Sequence, residues 1–370
     1  MKVDFIDLKR QYIDISDEMG ETVADLVANA RFVGGEPLEN FQRDFAKYHG
    51  AKHCIGVGSG SDALFLSLLA LGIGPGDEVI VPANTFIATI FAVSHTGATP
   101  IFVDVCPNTY NICAAEIPMA ITDRTRAIMP VHLYGQSCNM TMIMDIAKEH
   151  NLKVVEDCAQ STGAKWEGKN TGTFGECGCF SFYPTKNLGG LGQGGAILTD
   201  DQDIADKIDS FGNVGRTKDM RYKHNYIGFN SRLDTINAAF LSKGLLKLDE
   251  RNSMRNKVAQ LYNEFLTGVG GVFIPVVVPG ATHVYHLYVI GCVDKDAREE
   301  LKNHLASKNI FTGVYYPIPC HQQLPYSMKE GSFVITEQLS KTLLALPMHP
   351  YLTEEEIVYV CDSIYEKRGG

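Results

Sequence analysis

The chain has 370 residues, more than one hydrophobic core usually serves, which favours two domains. Its formal net charge of -10 argues against nucleic-acid binding as the main task, although it does not exclude an anionic small molecule. The apolar runs are far shorter than a membrane span, and the first residues lack the apolar core of a signal peptide. Ten mostly scattered cysteines are typical of reduced, buried thiols, so we expect a cytoplasmic protein without a metal site.

Short apolar runs and amphipathic segments alternate along the first two-thirds of the chain. The runs predict seven strands, at residues 53–60, 77–82, 99–105, 126–134, 153–159, 178–184 and 194–200. The amphipathic segments predict helices at residues 61–73, 84–97 and 140–151. This alternation predicts a mostly parallel seven-stranded sheet between helices, hence an α/β fold.

The last third of the chain has a different pattern. Residues 233–266 form one long amphipathic helical pattern that leads into a second domain. Beyond it we predict two strands and two helices, at residues 283–292, 297–310, 313–319 and 353–367. The predicted division is therefore an N-terminal segment with a large domain over 1–248, and a smaller α+β domain over 249–370.

Three short stretches contain residues suited to chemistry, and each also has an ordinary explanation. "GSGSDALFLSLLAL" places Gly60 and Ser61 at a helix start that suits a phosphate, but such turns are also plain strand-to-helix connections. Asp157, in "VVEDCAQSTGA", ends a predicted strand, where it meets a cation or caps a helix. Lys186, in "SFYPTKNLGGLGQGGAILT", is either a solvated loop residue or a lysine held near the sheet in a dry pocket.

The three stretches together match the needs of one cofactor. Pyridoxal 5'-phosphate requires N–H donors for its phosphate, a carboxylate for its ring nitrogen and an amine for its aldehyde. A phosphate-binding turn, an acid after a strand and a lysine some thirty residues later occur here in that order. The sequence therefore predicts a pyridoxal phosphate enzyme in which Lys186 is the general base and acid.

The whole chain, from "FIDLKRQY" to "LALPMHPYL", resembles the DegT/StrS-type nucleotide-sugar aminotransferases, which have the fold-type I architecture of aspartate aminotransferase. The resemblance rests on "GSGSDAL", "GDEVIVPANTFIAT", "VEDCAQSTGA", "SFYPTKNLGGLGQGGAI" and "FNSRLDTINAA". It implies that Lys186 binds the cofactor covalently and that Asp157 pairs with the ring nitrogen. Gln160 would lie near the phenolic oxygen, and Phe86 would stack on the ring.

The resemblance also implies a phosphate site shared between two subunits. Gly60, Ser61, the backbone N–H of Asp62, and Ser181 would hold the phosphate within one subunit. Asn230 would reach it from the partner, so the active unit would be a homodimer. From the residues alone, the segment around Asn230 is typical of a capped helix start. A capped helix start and a contact with the partner's phosphate are compatible.

The residues on either side of Lys186 suggest the substrate. Tyr183 and Asn187 resemble the group that aminates C3 of a dTDP-linked 3-keto-6-deoxyhexose, with L-glutamate as donor and pyridoxamine phosphate as the alternate cofactor form. In that group Tyr183, Asn187, Tyr316 and His321 would lie near the sugar nucleotide. One departure is Gln193, which stands where the family usually has an acid and whose role the sequence does not explain.

Three alternatives remain open from the sequence. Enzymes acting on UDP-linked 3-keto-2-acetamido sugars share "YPIP" and "NSRLDT" with this chain. A C4 aminotransferase would act on a nucleotide 4-ketosugar. A non-catalytic regulator that senses cofactor or sugar is the third, but the chain has no basic extension to support it. Amino-sugar synthesis for surface polysaccharide, such as lipopolysaccharide O-antigen, or for a glycosylated metabolite is the expected setting.

Overall fold

The computed structural model describes residues 1–217, 220 and 222–368, and its largest element is a seven-stranded sheet. The strands in chain order are β1 His53–Val57, β2 Glu78–Pro82, β3 Thr99–Val103, β4 Thr125–Ile128, β5 Lys153–Asp157, β6 Lys165–Trp166, β7 Lys169–Asn170, β8 Cys177–Ser181, β9 Gly195–Thr199, β10 Val272–Phe273, β11 Tyr288–Cys292 and β12 Leu343–Leu346. The large sheet has the order β1-β9-β8-β5-β4-β2-β3. All its pairings are parallel except those of β9, which runs antiparallel to β1 and β8. The predicted mostly parallel sheet is confirmed.

Helices lie on both sides of this sheet and continue into the second half of the chain. In chain order they are α1 Leu8–Tyr12, α2 Ser16–Ala28, α3 Glu36–His49, α4 Gly60–Ala70, α5 Ile87–His95, α6 Met140–Glu149, α7 Gln202–Gly212, α8 Thr235–Leu246, α9 Leu248–Leu266, α10 Lys295–Ser307, α11 Val334–Thr342 and α12 Glu354–Arg368. None of these described helices is long and apolar enough to cross a membrane. The helix predicted over 233–266 is two helices, because Lys247 interrupts the pattern between α8 and α9.

The second half builds a smaller three-stranded sheet with the order β10-β11-β12. It packs with α9, α10 and α12 in a core of its own. Val3, at the other end of the chain, belongs to the same core and bridges to Ile310. The first residues therefore pack with the C-terminal half, and the boundary at 248 stays a prediction.

Two strands predicted in the C-terminal half are shorter than expected. Only the second part of 283–292 forms a strand, because the segment before it turns through Tyr285, which has a positive φ of 44°. In 313–319 only Gly313 pairs, in an isolated bridge with Ala345. The strand predicted at 126–134 likewise ends at Ile128, and Val131 then bridges to Asp157.

Side chains at the helix starts fix the ends that lie near the large sheet. The Ser59 hydroxyl accepts a hydrogen bond from the Asp62 backbone N–H and thereby caps α4. A β-carbon on Gly60 would lie 2.6 Å from the Ser181 β-carbon, so only glycine lets α4 begin this close to the end of β8. The first turn of α4 and the carboxyl ends of β5 and β8 consequently meet at one edge of the sheet.

Candidate active site

A cavity of about 540 Å³ lies where these ends meet. It is lined by residues of seven segments, at positions 59–64, 85–88, 131, 157–160, 181–193, 286–287 and 315–316, and by Ile6. Carboxyl ends of parallel strands are where ligands of α/β proteins gather. The position and the lining make this cavity the candidate active site.

Lys186 enters the cavity from a tight turn. Its backbone N–H donates to the carbonyl oxygen of Tyr183 at 2.8 Å, and the Pro184 carbonyl accepts a hydrogen bond from the Tyr12 hydroxyl at 2.9 Å. Burial lowers the pKa of Lys186 to about 8, although the Asp157 carboxylate opposes this change. The amine is thus far easier to deprotonate than that of an exposed lysine, which agrees with the interpretation of Lys186 as a lysine in a dry pocket.

Asp157 occupies the last position of β5 and is 4% exposed. One carboxylate oxygen accepts a hydrogen bond from the Thr89 hydroxyl at 2.8 Å, and the other from the Ala159 backbone N–H at 3.1 Å. Burial raises the pKa of Asp157, while these two donors and the charge on Lys186 favour the ionised form. The carboxylate is therefore held in place with one side open to the cavity.

Hydrogen-bond donors face the cavity at the start of α4. Ser59, Gly60 and Ser61 line it, and Ser181 approaches from the end of β8. The positive end of the helix dipole and the free backbone N–H groups of a first turn favour an anion here. The Asp62 N–H, which was predicted to bind the same anion, donates to the Ser59 hydroxyl at 3.1 Å.

Aromatic side chains form another part of the lining. Phe86 is 53% exposed, and its ring lies 5.8 Å from that of Tyr316. The Gln160 side-chain amide donates to the Tyr316 hydroxyl at 3.2 Å and accepts from the Tyr134 backbone N–H at 2.7 Å. Phe86, Gln160 and Tyr316 therefore lie together, as the predicted cofactor and sugar contacts require.

Tyr183 and Gln193 also line the cavity, from the two ends of the loop that contains Lys186. Tyr183 is 46% exposed, and its ring is available to a ligand. Gln193 is exposed, and its backbone carbonyl accepts a hydrogen bond from the Asn237 side chain at 2.7 Å. The loop is thus anchored to α8 through its backbone, which leaves the Gln193 side chain unassigned.

Two residues predicted to contact the sugar nucleotide lie outside the cavity lining. Asn187 is 4% exposed, and its amide nitrogen donates to Asn252 at 2.8 Å and to the Val284 carbonyl at 2.9 Å. His321 is fully buried, and its Nε2 lies 3.1 Å from the Glu337 carboxylate. Both side chains satisfy interior hydrogen-bond partners, which is why they turn away from the cavity within this chain.

Asn230 and the Asp62 carboxylate line a second, more open cavity on the outer side of α4. There the Ser231 hydroxyl donates to the Asp62 carboxylate at 2.8 Å and accepts from the Gly58 N–H at 2.9 Å. Asn230 is exposed and does not reach the first cavity of its own chain. This position is compatible with the predicted contribution to a partner subunit and does not test it.

The sequence and the fold of this chain match those of known proteins. The model of the DegT/DnrJ/EryC1/StrS aminotransferase family matches residues 13–365. This chain belongs to that family. Aminotransferases of the DegT family use pyridoxal phosphate, so the predicted enzyme class, a nucleotide-sugar aminotransferase, and the predicted cofactor are both confirmed.

Individual members of the DegT family are similar over their whole length. A dTDP-3-amino-3,6-dideoxy-α-D-galactopyranose transaminase from Aneurinibacillus thermoaerophilus is 44% identical over 98% of both chains. A UDP-N-acetyl-3-dehydro-α-D-glucosamine 3-aminotransferase from Acidithiobacillus ferrooxidans is 40% identical over 100% of this chain and 98% of its own. The crystal structure of DesV from S. venezuelae, in complex with a ketimine intermediate, is 40% identical and superposes with a TM-score of 0.95 over 99% of this chain and 98% of DesV. The predicted fold-type I architecture is confirmed.

The residues of this DegT-family cavity fit pyridoxal phosphate. An amine with a lowered pKa, a buried carboxylate and a helix start with serine hydroxyls open into the same space. Because Gly60 has no side chain, the helix start lies directly against Ser181, and both residues line the same space. The amine therefore suits the aldehyde of the cofactor, the carboxylate suits its ring nitrogen, and the helix start suits its phosphate.

The sequence reading missed two side chains of this site. Thr89, which fixes Asp157, lies one turn beyond Phe86 in "NTFIAT" and is buried. His286 lines the cavity and is 6% exposed; burial and the charges of Lys186 and Arg255 hold its pKa well below the usual range, so the imidazole is neutral. Thr89 could have been found as a hydroxyl on a helix that is otherwise predicted to be apolar. His286 has no such local signal, because long-range contacts place it in the cavity.

His132, Glu156 and Cys158 form a buried group of metal-ligating residue types. The His132 ring accepts from the Cys138 N–H at Nδ1, so its Nε2 donates to Glu156 at 3.0 Å. Glu156 also accepts backbone N–H bonds from Gly172, Phe174 and Gly175. The carboxylate is saturated by these donors, and the group is an interior hydrogen-bond network.

Proposed function

We propose that this enzyme transfers the amino group of L-glutamate to C3 of a dTDP-linked 3-keto-6-deoxyhexose. The observation that carries the proposal is the convergence of Lys186 and Asp157 in one cavity beside the start of α4. Pyridoxal phosphate would alternate with pyridoxamine phosphate as glutamate and then the ketosugar react in turn.

Lys186 would hold the cofactor and then move protons. When bound, pyridoxal phosphate supplies an aldehyde that takes up the amino group and a ring that accepts electrons from the carbon bearing it. Because burial lowers its pKa to about 8, part of the Lys186 amine is neutral near pH 7. This amine would take a proton from the carbon that bears the amino group and return it to the former aldehyde carbon on the other side of the nitrogen. Lys186 would do so in both halves of the reaction.

Asp157 would keep the ring nitrogen protonated. Its carboxylate is held by Thr89 and Ala159, which leaves its free lone pairs facing the cavity. A fixed anion stabilises a cationic N–H without reorganisation during the reaction. Gln160 would hydrogen-bond the phenolic oxygen, and Phe86 would cover one face of the ring.

The phosphate would be bound by Gly60, Ser61 and Ser181, with Ser59 added to the predicted set. The Asp62 N–H would contribute only if it left the Ser59 hydroxyl. Asn230 of a second copy would complete the site, which makes the proposed active unit a homodimer. We place the reaction in the cytoplasm, in amino-sugar synthesis for a surface polysaccharide or a glycosylated metabolite.

Tyr183 and Tyr316 would bind the sugar nucleotide, because both line the cavity and the Tyr183 ring is exposed to it. Asn187 and His321 are not assigned to substrate, since their side chains bond interior groups. The similarity to a UDP-sugar 3-aminotransferase at 40% identity favours one second candidate, amination at C3 of a UDP-linked 2-acetamido sugar.

A panel of nucleotide ketosugars tests the proposal. The purified enzyme is incubated with glutamate and with dTDP- or UDP-linked 3-keto and 4-keto sugars, and NMR locates the new amine. We expect the highest kcat/KM with a dTDP-linked 3-ketosugar and an amine at C3. A preference for a UDP-linked 2-acetamido sugar would establish the second candidate, and an amine at C4 would contradict both.

The absorbance of the purified protein separates the enzyme from a sensor. We expect a yellow protein that bleaches when glutamate is added. A yellow protein that no amino donor changes would support a regulator that only senses the cofactor.

A further inference from the structure

A buried pair of asparagine side chains lies directly beneath the turn that contains Lys186. The Asn187 amide nitrogen donates to the Asn252 side-chain oxygen at 2.8 Å and to the Val284 carbonyl at 2.9 Å. Asn252 in α9 is 7% exposed, and its own amide nitrogen donates to the Thr162 carbonyl at 3.1 Å. The bonds that the pair donates all end inside the protein, while the buried Asn187 side-chain oxygen has no hydrogen-bond partner among the described residues.

These bonds join three separate parts of the cavity wall. Thr162 follows the segment with Asp157 and Gln160, whereas Val284 precedes His286. Asn187 comes immediately after Lys186. Asn252 of α9 bonds Asn187 and Thr162 directly, and Val284 is joined to them through Asn187.

The surroundings of the pair leave little freedom. A β-carbon on Gly163 would lie 2.7 Å from the Asn252 amide nitrogen, so the chain after Thr162 packs directly on Asn252. One turn further along α9, the Asn256 amide donates to the backbone carbonyls of Asn252 and His283 at 2.9 and 3.1 Å. Asn256 thereby fixes the helix directly to the segment that leads to His286, and Asn252 is linked to the same segment through Asn187.

We infer that Asn187 and Asn252 are positioning residues that fix the Lys186 turn against the segments containing Asp157 and His286. This inference rests on the proposed role of Lys186 and replaces the sugar contact predicted for Asn187. A displacement of about 1 Å at a reacting group can lower the rate by about a hundredfold, so small shifts of this turn have a measurable effect.

The direction of the hydrogen bonds predicts an order among substitutions. Asn187→Ala removes two donors and leaves the Asn252 oxygen and the Val284 carbonyl without them. Asn187→Asp places a carboxylate against those same two acceptors, and the repulsion forces the turn to move. Asn252→Ala frees the turn and the Thr162 segment together.

The matched control is Asn263→Ala, in the same helix. Its side-chain oxygen accepts the Tyr288 hydroxyl at 2.7 Å within the smaller core, and it lines no part of the cavity. The four holoenzymes and the wild type are compared by visible absorbance across pH, by kcat and KM for the ketosugar, and by melting temperature.

We expect the pH midpoint of the visible absorbance to shift in all three pair variants and to stay unchanged in Asn263→Ala. The kcat should fall about tenfold in Asn187→Ala and about a hundredfold in Asn187→Asp, with the sugar KM within about twofold of wild type. A rise of the sugar KM with an unchanged absorbance midpoint would show that Asn187 contacts the sugar and would overturn the inference. Lower melting temperatures alone, as in Asn263→Ala, would also overturn it. A wild-type protein without colour or turnover would instead sink the proposed function.

Discussion

The two sides of the cavity are built in different ways. The sheet side consists of the α4 start, the end of β5 and the Lys186 loop. Short motifs place Asp157 at the end of its strand, and Gly60 and Lys186 in the connections that follow β1 and β8. The outer side consists of residues 286–287 and 315–316, which lie outside the strands of all three described sheets. Its backbone is fixed by distant groups, since Arg255 donates to the Tyr285 carbonyl at 3.1 Å and Tyr134 receives the Leu287 N–H at 3.2 Å. Cofactor chemistry is thus encoded locally, and substrate contacts depend on the assembled fold.

The largest expected effect is on the sheet side. Asp157→Asn removes the charge that would hold a proton on the ring nitrogen, and we expect kcat to fall about 10²- to 10³-fold in both half-reactions. Stopped-flow absorbance measures each half separately, with glutamate added to the pyridoxal phosphate form and the ketosugar added to the pyridoxamine phosphate form. Equal occupancy of cofactor in the variant is the control, and an unchanged rate in either half would contradict the role.

Gly60→Ala should weaken cofactor binding. Its β-carbon would lie 2.6 Å from that of Ser181, and overpacking of this kind costs about 1–3 kcal/mol. We expect the Kd of pyridoxal phosphate to rise about tenfold to a hundredfold, measured by titration of the cofactor-free protein. Gly20→Ala in α2, where a β-carbon meets no atom within 4 Å, is the matched control. Equal Kd values for the two variants would remove Gly60 from the phosphate site.

A smaller effect confined to one half-reaction is expected on the outer side. Tyr316→Phe removes a hydroxyl that Gln160 contacts and that faces the proposed sugar site. Loss of one hydrogen bond corresponds to about tenfold in kcat/KM for the ketosugar, with the glutamate half-reaction within about twofold of wild type. If the glutamate half slowed as much as the sugar half, the distinction between the two sides would fail.

The smallest effect is expected beyond the outer side. His321→Gln keeps a donor near Glu337, whose carboxylate still accepts the Gly331 and Phe333 N–H bonds. We expect kcat/KM for the ketosugar within about twofold of wild type and a loss of stability of about 1 kcal/mol, measured by urea unfolding. A tenfold rise in the sugar KM would restore His321 as a substrate contact.

The same contrast explains what could be predicted from the sequence. Strands β2, β3 and β5 each contain a short run of valine, isoleucine or phenylalanine with turn residues before and after it, so the sequence predicts their place in a parallel sheet. In contrast, β12 contains only leucine and alanine, which are as common in helices, so the local sequence does not predict that this segment is a strand paired with β11. Tyr285 turns the chain where the sequence pattern predicts a strand.

At the site, residue type was easier to predict than side-chain direction. Lys186 and Asn187 are neighbours, yet the first lines the cavity and the second bonds α9. The turn between Tyr183 and Lys186 decides this, and its position depends on Tyr12 from the other end of the chain. A contact between residues 12 and 184 leaves no trace in either local pattern.

The most direct test is to trap the cofactor on the protein. Cofactor-free enzyme is mixed with pyridoxal phosphate between pH 6 and pH 10, reduced with borohydride after fixed times, and mapped by peptide mass spectrometry. Because the neutral amine is the nucleophile and the pKa of Lys186 is lowered to about 8, the capture rate should rise about tenfold per pH unit well below pH 8 and level off above it. We predict the label on Lys186 with this pH dependence. A label on another lysine, or a rate that still rises tenfold per pH unit up to pH 10, would contradict the account.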